Sequence, residues 1–163
     1  MPHRPTIPQV GPVRLRDVTE ADLPALYRMS LDPESNRMAI VHPRDRGFFD
    51  AHWAEVLCSP DTVSKVILLE DRVVGKISCF GSGETNMAGY WVDRDHWGRG
   101  IASRALAMFL DEVIARPLYA RVATTNLGSI RVLEKCGFVI TGYEHSPATE
   151  RYLECEEAIL MLG

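Results

Sequence analysis

Apolar residues along this chain either alternate with polar ones, as in strands, or recur every three to four positions, as in helices. The changes from one spacing to the other predict where each strand and helix begins and ends. Residues 13–16 alternate apolar and basic positions, as a half-buried strand does. A helix is predicted next, with Thr19 as its cap and apolar residues three to four positions apart up to a break at Asp32-Pro33. A polar loop is expected to follow that break.

The same criteria place the remaining elements. Residues 48–57 predict a second helix, with Phe49, Trp53 and Leu57 on one face at steps of four. Runs rich in branched apolar residues predict strands, and Glu70-Asp71 is expected to turn one strand back on the next. Strands are predicted at 63–69, 72–80, 87–92, 118–123, 138–143 and 151–161, and further helices at 102–114 and 129–135.

The predicted order is β-α-α-β-β-β-α-β-α-β-β, which indicates one mixed α/β domain. No repeat, low-complexity tract or linker divides the 163 residues. The first twelve residues contain four prolines, so we expect a flexible tail at 1–12 and a single domain over 13–163. Trp53, Phe49, Phe109 and Phe138 are expected in its core.

Composition narrows the class of partner. The net charge is −4, which gives no reason to expect nucleic acid and slightly favours a cationic or amine substrate. No apolar run approaches the roughly 18 residues that span a membrane, and the start lacks the apolar core of a leader peptide. The four cysteines form no CxxC pair and the five histidines are scattered. We therefore expect a cytoplasmic protein with no metal site.

The loop from Trp97 to Ser103 carries the most informative chemistry. A strand ends before it, and Gly98 and Gly100 open the helix that follows. The first turn of a helix has unpaired N–H groups at the positive end of its dipole. Glycines leave those donors open to a ligand, so the loop suits a pyrophosphate, with Arg99 as a nearby cation and the Ser103 hydroxyl as a further donor. The same glycines would also suit a turn that binds nothing.

Two nucleotide-binding motifs fit this loop poorly. A Walker loop requires GxxxxGK[ST], and no such string occurs in the chain. A dinucleotide fingerprint requires a third glycine and an early βαβ unit, whereas Ser103 holds the third place and an antiparallel meander precedes the loop.

The segment Trp97-Gly98-Arg99-Gly100-Ile101-Ala102 resembles motif A of the GNAT acetyltransferase superfamily, Gln/Arg-x-x-Gly-x-Gly/Ala. Trp97 stands where that motif has Gln or Arg. This departure, with Gly-Tyr-Trp at 89–91, resembles the ribosomal-protein N-acetyltransferase (Rim-type) branch. Residues 126–138 are similar to motif B, Asn-x-x-Ser-x-x-x-x-x-Lys-x-Gly-Phe. The two blocks occur in the expected order, and the resemblance covers about 13–161.

The resemblance implies a central, mostly antiparallel sheet of six to seven strands with about four flanking helices. One parallel pair, matching 87–92 and 118–124 here, would splay apart at a bulge and admit the pantetheine arm of acetyl-CoA, the acyl donor. The backbone of Trp91 and Val92 would pair with that arm. The Val92 N–H would lie near the acetyl carbonyl. The implied cofactor-binding residues are Trp91, Val92, Trp97, Gly98, Arg99, Gly100, Ile101, Ala102, Ser103 and Asn126.

The implied reaction is direct attack of a primary amine on the thioester. A base must deprotonate the amine, and Glu84 and Glu150 are the candidates, with Glu144 after them. Many GNAT enzymes use a Tyr as the general acid, seven residues after the motif B Asn, where this chain has Leu133. Ser129 is then the candidate for protonating the leaving thiolate, although it would also suit a helix cap.

Two functions from different classes remain open. The chain is either an N-acetyltransferase acting on a protein N-terminus or a small-molecule amine, or a catalytically silent acyl-CoA-binding module. The second follows from the absence of an acid at 86–88 and of Tyr at 133. Nucleotide-dependent phosphoryl transfer would need a Walker lysine and metal-binding acids. The resemblance also implies a possible homodimer, because members of the family often dimerise through their last strands.

Overall fold

The computed structural model describes residues 11–81 and 85–163, which form one sheet between two layers of helices. Seven strands lie in the order β1-β2-β3-β4-β5-β7-β6. Their bounds are β1 Val13–Asp17, β2 Val63–Leu69, β3 Arg72–Phe80, β4 Asn86–Val92, β5 Leu118–Ala123, β6 Val139–Ser146 and β7 Cys155–Leu162. Only the β4–β5 pair is parallel among these. The predicted mixed fold is confirmed.

The described ranges contain five α-helices and two short 3₁₀ turns. The helices are α1 Leu23–Ser30, α2 Pro33–Ala39, α3 Arg46–Cys58, α4 Ile101–Glu112 and α5 Leu127–Lys135. The predicted hairpin at Glu70-Asp71 is also confirmed, and both residues have the positive φ that a tight hairpin turn requires.

The polar loop expected after Asp32-Pro33 was wrong, because that segment is α2. Pro33 occupies the first helical position, and the Asp32 carboxylate accepts a hydrogen bond from the Ser35 N–H at 2.9 Å. The Asn36 side chain also donates to the Ser30 carbonyl at 2.9 Å. Capping and polar contacts hold this helix, so it lacks the apolar period that marks the others.

Two hydrophobic clusters lie on opposite faces of the sheet. One lies under α4 and α5 and contains Phe109 and Phe138. The other lies under α1 and α3 and contains Phe49 and Trp53. These four aromatic residues are 4% exposed or less, as predicted, whereas Leu57 at the end of α3 is 38% exposed.

β4 and β5 separate soon after they meet. Their described pairing consists of Asn86 with Leu118 and Met87 with Tyr119. The implied splay is therefore present. The implied bulge is not, since β4 pairs with β3 in continuous register from Gly75–Val92 to Phe80–Met87. A side chain at Gly75 would lie 2.2 Å from the Trp91 carbonyl oxygen, so glycine allows this close approach.

A buried acid fixes α1 against β1. Asp22 is 5% exposed and accepts two hydrogen bonds from the Arg16 guanidinium, at 2.7 and 2.8 Å. The Thr19 N–H also donates to Asp22 at 2.8 Å, which forms part of a capping box with Thr19 as the N-cap, as expected. Hydrogen bonding from Arg16 lowers the pKa of Asp22, and burial opposes that shift.

We predict that Asp22→Asn destabilises the protein by about 1–3 kcal/mol at pH 7, less than for a fully buried pair because the Arg16 side chain is 45% exposed. Because the folded pKa of Asp22 lies below its unfolded value, its contribution is present above the unfolded pKa and is lost as the pH falls through the folded pKa. Urea unfolding at pH 7 and pH 3 should show the difference between the two proteins shrinking in acid.

Asp50→Asn serves as the control, because the Arg46–Asp50 pair is more than half exposed at both side chains. Its loss should be about 0.5 kcal/mol or less. A difference for Asp22→Asn that stays constant from pH 7 to pH 3 would contradict the assignment.

Candidate active site

A groove of about 460 Å³ opens where β4 and β5 separate. Elements from four parts of the chain line it: α2, the end of β4 with the loop after it, the start of α4, and the start of α5. The lining residues that were singled out from sequence are Trp91, Val92, Trp97, Gly98, Gly100, Ile101, Ala102, Ser103, Asn126 and Ser129. Arg99 is the one member of the expected cofactor set outside this lining, and it is exposed.

The start of α4 is open to ligand. Gly98 and Gly100 have φ values of +74° and +75°, a conformation that L side chains rarely adopt. A Cβ added at either position would meet no atom within 4 Å, so it would project into free space at the groove. The groove therefore exposes the first turn of a twelve-residue helix whose N-terminal N–H groups suit an anion.

Trp97 fixes the loop between β4 and α4. Its indole Nε1 donates a hydrogen bond to the Val92 carbonyl at 2.8 Å, while its side chain is 40% exposed. The bond ties the loop to the last residue of β4. It also occupies one acceptor position of a carbonyl that the family resemblance assigns to the pantetheine arm, leaving that oxygen one free lone pair.

Two cations on α5 add to the fit for an anion. Arg131 and Lys135 line the groove, and neither was singled out from sequence. Motif B contains a Lys at 135, and that Lys could have indicated this role. No Asp or Glu of the described residues lines the groove. The residues present thus suit a diphosphate at the mouth of α4.

A hydroxyl pair lies deeper in the groove. The Tyr90 hydroxyl lies 2.7 Å from the Ser129 Oγ and donates to the Ser129 carbonyl at 3.0 Å. Either hydroxyl can be the donor across the 2.7 Å contact, and the Ser129 proton is available to donate when the Tyr90 proton is directed to the Ser129 Oγ instead of the carbonyl. The Asn126 side chain accepts from the Ser129 N–H at 3.3 Å and caps α5. Burial raises the pKa of Tyr90 to about 12, so the phenol is protonated at neutral pH.

The family model for the GNAT acetyltransferase domain matches residues 13–139 of this chain. The chain belongs to the GNAT acetyltransferase family. None of the helices in the described ranges is long and apolar enough to cross a membrane. In the same ranges, no group of three or more His, Cys, Asp or Glu residues is placed to hold a metal ion.

Several proteins resemble this GNAT chain in sequence or fold. It is 39% identical over 77 residues to the probable N-acetyltransferase YjcK of Bacillus subtilis, a match that spans 42% of each protein, so less than half of that relative is covered. The spermidine N-acetyltransferase of Vibrio cholerae, solved with CoA and spermine, has a TM-score of 0.76 at 17% identity, over 91% of this chain and 95% of that one. RimJ of Mycobacterium smegmatis, solved with CoA-disulfide, has a TM-score of 0.76 at 24% identity, over 94% and 83%.

The two acidic candidates among the described residues, Glu144 and Glu150, lie outside the lining of the groove of this GNAT domain. Glu84 lies outside the described residues. Glu150 is exposed and lies outside the lining of the groove, and Glu144 pairs with Arg121 at 3.1 Å. Sequence reasoning missed Tyr90, although its place in the Gly-Tyr-Trp string of β4 was noted. The alternation of a strand places Tyr90 on the face opposite Trp91, toward α5.

We predict that Tyr90 stays protonated at pH 11, where a solvated phenol with a pKa of about 10 is mostly ionised. A spectrophotometric titration should show one phenolate component that appears only near pH 12. Tyr90→Phe should remove that component alone. Loss of a component that titrates near pH 10 would show that the Tyr90 hydroxyl is solvated.

Proposed function

We propose that this chain transfers an acetyl group from acetyl-CoA to a primary amine by direct attack of the amine on the thioester. The observation that carries the proposal is one groove in which the gap between β4 and β5 leads to the glycine-opened start of α4. Family membership supports the chemistry. The amine is a protein N-terminus or a small molecule, as in the neighbours whose names specify spermidine or ribosomal protein.

The residues of the groove divide between the two ends of the acyl donor. N–H groups of the first turn of α4, from Gly98 to Ser103, would hold the diphosphate, with Arg131 and Lys135 as nearby cations. The backbone of Trp91 and Val92 would pair with the amide groups of the pantetheine arm. Asn126 would act through α5, whose start it caps, and thereby position Ser129.

The chemical requirements fall on few side chains. The thioester supplies an activated acetyl group, and the Val92 N–H is the proposed donor to its carbonyl oxygen. Ser129 would donate a proton to the departing thiolate, with Tyr90 orienting its hydroxyl. Glu84 and Glu150 remain the proposed bases. Because Glu150 is exposed outside the groove, it would have to act through water.

The test is turnover of acetyl-CoA, followed as free thiol, across polyamines, amino acids, antibiotic amines and peptides with Ser or Ala N-termini. Mass spectrometry of the product should show one added acetyl group. The second candidate, a silent acyl-CoA-binding module, is favoured by the lack of a described carboxylate at the groove. The silent module predicts CoA binding without turnover. If the chain does turn over and the rate survives Glu84→Gln, Glu150→Gln and Ser129→Ala, the roles proposed for these residues as bases and as proton donor would be excluded.

A homodimer would use the end of the sheet. β6 is the edge strand beside β7 and exposes Val139, Ile140 and Tyr143. Unpaired apolar edge strands favour association with another chain. Sedimentation equilibrium measures the state directly.

We predict that Gly100→Ala weakens CoA binding about tenfold, or roughly 1.4 kcal/mol, because the new Cβ projects into the groove. Gly137→Ala is the matched control. Gly137 also has a positive φ, +96°, but lies outside the groove, and its new Cβ would approach the Leu162 Cδ1 at 3.3 Å, so the control should lose at least as much stability as Gly100→Ala. Titration calorimetry with CoA measures the affinity of each variant. Equal affinities for Gly100→Ala and Gly137→Ala would contradict the proposal that the start of α4 binds the diphosphate.

We predict that Ser129→Ala lowers kcat by about 10²-fold and leaves the KM for acetyl-CoA nearly unchanged, because the hydroxyl acts on the leaving group alone. Ser64→Ala is the control. Its hydroxyl pairs with Ser78 at 2.8 Å between β2 and β3, away from the groove. If the kcat of Ser129→Ala equals that of the control, Ser129 is not the proton donor, and the leaving thiolate takes its proton from solvent.

A further inference from the structure

A second, smaller cavity lies on the other face of the sheet. Its volume is about 30 Å³, and it lies among α1, α3 and the paired residues Lys76 and Trp91 of β3 and β4. Trp91 lines both this cavity and the groove, so the two spaces adjoin at this residue. An acceptor bound here would lie next to the proposed acetyl site at Val92.

The small cavity collects positive charge without a matching acid. Arg44, Lys76 and Arg151 all line it. The Lys76 Nζ lies 5.1 Å from the centroid of the Trp53 ring, and Trp53 is 2% exposed. No ion pair among the described residues includes any of the three cations.

The neighbouring groups respond to this charge. Burial, with Arg44 and Arg151 nearby, lowers the pKa of Lys76 to about 8. Burial and the same cluster lower the pKa of His52 to about 4, so this imidazole is neutral at pH 7. Concentrated like charge is costly in a protein interior unless an anion offsets it.

Two of the residues that line the cavity also carry an unsatisfied hydrogen-bond donor. Trp91 Nε1 and Arg151 Nε are buried and have no partner among the described residues. Buried donors in native proteins nearly always have an acceptor, which can come from a ligand. The residues that line the cavity thus include no negative charge, and two of their donors have no acceptor.

Two paired loops carry Arg44 and Arg151, two of the three cations that line the cavity. The His42 N–H donates to the Arg151 carbonyl at 2.7 Å, and the Arg151 guanidinium donates back to the His42 carbonyl. Val41 and Tyr152 form an isolated antiparallel β-bridge beside these bonds. Ile40, which precedes this pairing, has a φ of +56°, a costly conformation for a branched residue. The pairing holds Arg44 and Arg151 near one another in spite of their like charge.

The volume limits the anion to a small one. About 30 Å³ holds roughly two water molecules, which matches the two oxygens of a carboxylate. A planar guanidinium binds a carboxylate through paired hydrogen bonds, and two of the three cations are arginines.

We propose that this cavity binds the carboxylate of the acceptor, so that the acetylated amine belongs to a small amino acid. The inference rests on the proposed function, whose substrate class it specifies. It reverses the expectation from the net charge of −4, because the charge at the cavity is positive although that of the whole chain is negative. Polyamines, which carry several cations and no anion, would be repelled.

The first test compares each of the twenty L-amino acids with its own primary carboxamide as acceptor. The two differ only in the carboxylate, so we expect the KM of the accepted acids to be lower by on the order of 10- to 100-fold. Equal KM values for acid and amide, or a preference for spermidine, would overturn the proposal. A preference for peptides with an acidic second residue over free amino acids would overturn the small-molecule assignment.

The second test replaces the central cation. Lys76→Met keeps an unbranched side chain that is one atom shorter and removes its charge, and it should abolish the discrimination between acid and amide. Arg72→Met is the control, since Arg72 is an exposed cation on the same strand. Calorimetric titration of the preferred amino acid in the absence of CoA should show binding to the wild type and to Arg72→Met, but not to Lys76→Met.

A stability measurement separates binding from a structural role. Removing one of three unpaired like charges should leave the melting temperature of ligand-free Lys76→Met equal to or above that of the wild type. A clear fall would assign Lys76 to the fold and overturn the proposal. CoA titration of each variant distinguishes the two levels of failure. Intact CoA binding and turnover with lost carboxylate dependence refutes this inference alone, whereas absent CoA binding refutes the proposed function.

Discussion

The separation of β4 from β5 after two residue pairs is the constraint on which the rest of the structure depends. It removes the usual hydrogen-bonding partner from one edge of β4 over Ala88–Val92, in the middle of a seven-stranded sheet. Unpaired backbone groups in a protein interior are costly, so a structure that keeps such a gap must brace it and supply a partner. The bracing is visible in the close approach of β3 at Gly75 and in the Trp97 bond to Val92. The partner proposed here is the amide-bearing arm of an acyl donor, which presents donors and acceptors as a strand does.

Successive side chains of β4 point to opposite faces of the sheet, so the two faces of the gap would serve different steps of the reaction. Tyr90 contacts Ser129 on the side of α5, where the thiol would leave. Trp91 packs with the cluster under α1 and α3, where the acceptor would enter. The cations divide in the same way, with Arg131 and Lys135 at the groove and Lys76 at the small cavity. Charges at the groove lie on an exposed helix and are stabilised by water, but those at the cavity are desolvated. The second set therefore demands a ligand more strongly than the first.

The sequence predicted the features that arise from local pattern. Branched runs gave the strands, apolar spacing gave four of the five helices, and Gly98 and Gly100 marked the open start of α4. It missed α2, because capping by Asp32 rather than a hydrophobic face holds that helix. It also missed the pairing of Tyr90 with Ser129, which are 39 positions apart. The cationic cavity was beyond reach for the same reason, since Arg44, Lys76 and Arg151 come from three distant segments and look like ordinary surface cations when read in order.

The cavity also bears on the hardest chemical requirement, the supply of a neutral amine. An amine on its own would be protonated at neutral pH and would need a base to accept its proton. No described carboxylate lines the groove to serve as that base. In an amino acid, however, the carboxylate would neutralise part of the cationic cluster. Burial and the remaining charge would disfavour the ammonium form of the adjacent amine, just as burial and the nearby arginines lower the pKa of Lys76 to about 8. A cluster that binds the acceptor by its anion would thus also shift its amine toward the nucleophilic state. The burden on a separate base such as Glu84 would then be reduced to accepting a proton that is already weakly held.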